Sequence, residues 1–143
     1  MMRRLLMLSL ILLPFAVAIA EPLPPPKPRP AAAQLYIISP SDGAIVESPV
    51  TVRFGLAGMG VAPAGVALPD TGHHHLLVDL DTLPPLDQPL PNNEHLLHFG
   101  GGQTETTLDL PPGKHRLQLI LGDELHRPHQ PPLISAPVMI EVR

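Results

Sequence analysis

Proline and glycine interrupt this chain 21 and 11 times in 143 residues. Nowhere do apolar residues recur at i, i+3, i+4 and i+7 for ten residues with caps, so no substantial helix is expected. What lies between the breaks is short and alternating, the pattern of strands with one buried and one wet face. Residues 34–39 are the first such segment and end in Pro40-Ser41-Asp42-Gly43, a turn with proline early and glycine late. Residues 49–54 alternate Val50, Val52 and Phe54 against Thr51 and Arg53. Further strands are expected over 73–80, 95–99, 103–110, 114–121 and 133–142. Leu117, Leu119 and Leu121 share one side of the 114–121 segment, and Val138, Ile140 and Val142 point inward from the last. The glycine-rich stretch 55–72 reads either as a long ordered loop or as an edge strand with a bulge.

About seven short strands in roughly 110 residues predict an all-β domain, an immunoglobulin-like antiparallel β-sandwich. A small barrel is the competing architecture. The chain has no Cys and no Trp, so the Cys-Trp-Cys core of antibody-type domains is excluded. Tyr36, Phe54 and Phe99 are the aromatic residues after position 20, and the core must rest on Leu, Val and Ile.

The chain starts Met1-Met2-Arg3-Arg4, runs apolar for about sixteen residues and closes Ala18-Ile19-Ala20, the pattern of a secretory signal peptide over 1–20. A membrane span needs roughly 20 apolar residues. A Pro-rich linker is expected over 21–33, where six prolines between Glu21 and Pro30 favour an extended polyproline spacer. The β-sandwich domain then occupies 34–143. Without cysteine there is neither a disulfide framework nor a Cys-linked lipid anchor, which fits export to the periplasm or the cell exterior. Loss of Arg3 and Arg4 leaves seven Lys and Arg against 13 Asp and Glu. That acidic balance argues against nucleic acid and, after signal cleavage, against membrane as partners, and it favours cations.

The chemistry is concentrated in eight histidines, His73, His74, His75, His95, His98, His115, His126 and His129. Alternate residues of a strand share a face, so His73 and His75 join Leu77 and Asp79, while His74 joins Leu76, Val78 and Leu80 on the core side. Two imidazoles at i and i+2 can converge on one metal ion about 2 Å from each nitrogen. His95-x-x-His98 and His126-x-x-His129 offer further pairs, and Asp79, Asp81 or Asp123 can orient an imidazole or complete the shell. The expected metal site therefore combines His73, His75 and His98 with His126 or His129, with Asp79 on the same face. Neutral imidazoles with a carboxylate suit Zn²⁺, Cu²⁺, Ni²⁺ or Fe²⁺ over Ca²⁺ and Mg²⁺, so the expected cofactor is a transition metal, zinc or copper. His74 is expected in the core and His115 against the Pro111-Pro112-Gly113 turn.

Nucleophilic catalysis finds no cysteine, and Ser39, Ser41, Ser48 and Ser135 lie in no elbow motif. Gly100-Gly101-Gly102 precedes a strand and not a helix, which makes it a turn and not a phosphate cradle. The function expected is an exported, non-enzymatic binding module for a transition-metal ion, or for a small ligand held through one. The alternatives are a structural or protein-interaction domain of the cell envelope, whose histidines bond only one another and backbone, and a metal-dependent enzyme. The sequence names no protein partner.

Five stretches carry a family resemblance: Gly58-Met-Gly-Val-Ala-Pro-Ala-Gly65, Thr71-Gly-His-His-His-Leu-Leu-Val-Asp79, His98-Phe-Gly-Gly-Gly-Gln-Thr-Glu105, residues 110–123 and His126-Arg127-Pro128-His129. In their combination the chain resembles a bacterial exported family catalogued as domain of unknown function 4399. The resemblance covers most of residues 35–142. It implies a small, exported, β-rich domain and brings no established activity.

Overall fold

The computed structural model describes residues 21–143, and the signal peptide expected over 1–20 lies outside the described residues. Nine strands form: β1 (Gln34–Ser39), β2 (Ala44–Val46), β3 (Val50–Ala57), β4 (Gly60–Val61), β5 (Thr71–Val78), β6 (Leu96–His98), β7 (Glu105–Leu108), β8 (Gly113–Gly122) and β9 (Val138–Val142). They make two sheets, one ordered β1-β3-β7 and the other β2-β9-β8-β5-β4, with β6 also paired to β5. No helix forms among the described residues.

The order has the immunoglobulin pattern. A first sheet of strands A, B and E corresponds to β1, β3 and β7, and a second of G, F and C to β9, β8 and β5. All seven expected segments form strands, though the last starts only at Val138 because Pro137 has no N–H for a ladder. Two further strands form: β2 carries no signal in the sequence, and β4 lies in the 55–72 stretch that reads as a loop or an edge strand. They are three and two residues long, too short to display a period. Both pair in parallel, β2 with β9 and β4 with β5, so the sandwich is not wholly antiparallel. β4 also settles the 55–72 stretch, which contains a short edge strand.

Between the sheets, Val50, Val52 and Phe54 of β3 meet Leu76 and Val78 of β5, Leu117, Leu119 and Leu121 of β8, and Val138, Ile140 and Val142 of β9. A second apolar cluster lies on the opposite face of the larger sheet, where Leu77 and Ile120 pack with Leu90 and Leu96 under the loops. β5 is consequently buried on both faces. The face carrying His73 and His75, opposite the core side expected for His74, is covered by the segments around 81–95 and 123–137.

The Pro-rich segment does not stand clear of the domain. Gln130 N donates to Lys27 O at 2.9 Å, Lys27 pairs with Glu124 at 2.8 Å, and Arg29 Nε donates to Pro131 O at 2.9 Å. Proline lacks an N–H, so the segment is held through its carbonyls and its two cations.

Candidate metal centre

Strand alternation puts His73 and His75 side by side on the outer face of β5, ring centroids 4.8 Å apart. β6 runs antiparallel along the same strand, and its register sets His98 opposite His75. The His98 ring lies 5.0 Å from His73 and 5.1 Å from His75. The fourth ring, His126, comes from the loop after β8 and sits 4.6 Å from His98 and 5.1 Å from His73. Four imidazoles from three segments thus converge.

His126 is placed by backbone conformation. It occupies the left-handed region at φ 65°, uncommon for a residue with a Cβ and tolerated where the surroundings dictate it. Asp123 ties the turn: its Oδ1 accepts from Leu125 N at 2.8 Å and Arg127 N at 2.9 Å, and its carbonyl accepts from His126 N at 2.9 Å. The His126 carbonyl accepts from Leu90 N at 2.7 Å. Two glycines make room for rings. A Cβ on Gly122 would stand 2.7 Å from His75 Cε1, and one on Gly100 would stand 2.3 Å from His98 Cε1.

The rings are buried without hydrogen-bond partners. Both nitrogens of His73 and His75 and Nε2 of His98 are buried and unpartnered, and an unsatisfied buried polar atom costs roughly 1 to 3 kcal/mol. Burial disfavours the charged imidazolium and the neighbouring rings add to it. His73 is pushed down to about 4, chiefly by burial and then by His126 and His98, with Asp123 pulling weakly upward. His75 falls to about 3 by burial and then by His73, His98 and His126. His98 is lowered by burial and by His126. These rings are therefore neutral at pH 7, the form that binds metal. His73, His98 and His126 each offer a ring nitrogen, all within 4.8 Å of one another, a group that could hold a metal ion. Four-coordinate zinc would draw its nitrogens to about 3.3 Å apart, so binding requires the set to contract.

The structure does not bring the remaining candidates into this cluster. Asp79 leaves the face predicted for it because β5 ends at Val78 and Asp79 turns at φ 56°. Its carboxylate accepts from Arg116 N at 2.8 Å and bonds His115 Nδ1 at 2.8 Å. His129 is buried and bonds the Thr71 carbonyl through Nε2 at 3.2 Å. His95 reaches the Val78 carbonyl at 3.0 Å and is exposed, as is Asp81. Asp123 is buried but committed to Arg127 at 3.0 Å and to the turn amides. His74 lies in the core 5.1 Å from the Phe54 ring, pushed down to about 4 by burial. Sequence reasoning missed Gly100 and Gly122 as room-makers and Asp123 with Arg127 as the tie that sets His126. Their signal was spacing to the histidines, legible only once the strand register was known.

A family model described as Domain of unknown function (DUF4399) matches residues 52–143. Those residues contain all four converging histidines. No curated protein and no solved structure matches the chain.

Proposed function

The chain belongs to this family of domains of unknown function, and we propose that it is an exported, periplasmic binding module for a single transition-metal ion. His73, His98 and His126 are the primary ligands and His75 completes or supports the set. The observation that carries the reading is convergence: five buried ring nitrogens of His73, His75 and His98 lack partners, and they belong to rings that face one another. An all-imidazole set without thiolate favours Cu²⁺ or Zn²⁺, with Cu²⁺ the tighter by the usual divalent order.

The test is to purify the mature chain without an affinity tag, measure retained metal by mass spectrometry, and titrate Cu²⁺, Zn²⁺ and Ni²⁺. We expect one equivalent of metal, a raised melting temperature, and at least a hundredfold weaker binding in His73→Ala with His98→Ala. No retained metal and no melting shift with any of the three ions would overturn the reading.

A second reading is a metal-free structural domain, supported by the direct ring packing at 4.6 to 5.1 Å. Under it the double alanine variant unfolds the domain instead of leaving a folded chain that fails to bind.

A further inference from the structure

Three of the four rings stand on paired strands, whereas His126 rides on a loop whose own bonds form a single knot around Asp123. From outside, the loop is held by Leu90 N on the His126 carbonyl at 2.7 Å, by Gly65 N on the Glu124 carbonyl at 2.9 Å, and along its other side by the Pro-rich segment. Arg127, next to His126, is buried, and its guanidinium has three partners: the Asp123 carboxylate at 3.0 Å inside the loop, the Pro24 carbonyl, and the Pro25 carbonyl at 3.4 Å. On either side of it, Glu124 receives Lys27 at 2.8 Å and Gln130 N donates to Lys27 O at 2.9 Å, with Pro28 bridged to Gln130. The contacts thus bracket His126 at 124, 127 and 130.

We propose that residues 22–30 are a strap that holds His126 over the other three rings, so that a bound ion leaves only when the strap lets the loop open. The inference rests on the metal reading above. Its physical basis is twofold. Prolines fix the strap in an extended conformation before it docks, so little conformational entropy is lost on binding the loop. Lifting the strap also strips carbonyl partners from a buried guanidinium, which is costly unless the loop moves out to water. Arg127 and the strap carbonyls act as positioning groups, and of the loop's side chains His126 is the one that would touch the ion.

The test uses the full mature chain with Pro24, Pro25 and Pro26 changed to Gly, Lys27→Ala and Arg29→Ala, which leaves every loop side chain in place. Hydrogen exchange of the His126 and Arg127 amides, read without metal, should speed about tenfold while exchange in β5 and β8 stays as in the native chain. Cu²⁺ loaded on each protein and challenged with excess chelator should leave the variant about tenfold faster. Lys27→Ala alone removes one ion pair without touching the backbone and should act in the same direction, about threefold. Unchanged exchange at 126–127, or a loosened loop with native copper release, overturns the strap. If neither protein holds copper, zinc or nickel, the metal reading fails and the metal-free exchange still decides whether the strap orders the loop.

Discussion

Two ends of the same strand pair treat histidine in opposite ways. Beside the end of β5 and the start of β8, His115 Nδ1 bonds the Asp79 carboxylate and Nε2 bonds the Pro111 carbonyl, both at 2.8 Å. A carboxylate and a carbonyl both accept, so the arrangement favours the doubly protonated ring that can donate to each. Burial alone would lower its pKa, but the Asp79 and Pro111 bonds outweigh that and raise it. At the other end, beside the start of β5 and the end of β8, His73 and His75 have no partner at any nitrogen and are neutral. Where acceptors are supplied, histidine becomes a structural staple whose ring nitrogens are both engaged. Where they are withheld, the lone pairs converge and stay free for a Lewis acid.

The contrast can be broken most forcefully with acid. A ring held at about 4 when folded and about 6.5 when unfolded binds more protons unfolded, so its contribution is intact above pH 6.5 and is lost as pH falls toward 4. Each such ring corresponds to about 3 kcal/mol, less when neighbours titrate together. His115 has the opposite sign: its raised folded pKa contributes below 6.5 and is lost as pH rises through the raised value. Denaturant unfolding of the metal-free protein should therefore show a maximum near pH 6.5 with the steep side acid. Stability flat from pH 7 to 4 would contradict the burial of neutral rings.

The next effect concerns space at the cluster. Gly122→Ala sets a Cβ 2.7 Å from His75 Cε1, and the displaced ring should cost about 1 to 3 kcal/mol and weaken metal binding in the same protein. Native stability and native affinity together would show that the ring has room to spare. His74→Leu replaces a core ring with two unpartnered nitrogens, and at pH 5 it should stabilise by about 1 to 2 kcal/mol. Metal affinity should stay unchanged, since His74 faces Phe54. The smallest effect is at the staple, where the Asp79 side chain is 37 % exposed. Asp79→Asn should cost about 1 kcal/mol near pH 6 and leave metal binding intact, whereas a loss of metal would tie the two ends together.

Strand alternation was enough to put His73 and His75 on one face and His74 on the other, and Pro and Gly spacing was enough for an all-β sandwich. Both are local periodicities carried by the chain itself. Four matters were not legible. Alternation describes a strand only to its last residue, so it could not show that Asp79 turns away at positive φ and serves His115. The choice between His126 and His129 depends on the Asp123 knot, a loop geometry with no period. The cover on the outer face of β5 comes from Leu90, Leu96 and Ile134, distant residues that pack with Leu77 and Ile120, and alternation within one strand does not show it. The docking of the Pro-rich segment was hidden for a related reason, because prolines advertise extension but not what their carbonyls will meet.

The most direct measurement is the ring ¹⁵N spectrum of the eight histidines during a Zn²⁺ titration. Nitrogens of His73, His98 and His126, with His75 perturbed beside them, should move to metal-bound positions with saturation at one equivalent, while His74, His95, His115 and His129 hold still. Zn²⁺ responses confined to exposed His95, spread over all rings without saturation, or absent from the four-ring cluster would contradict the account.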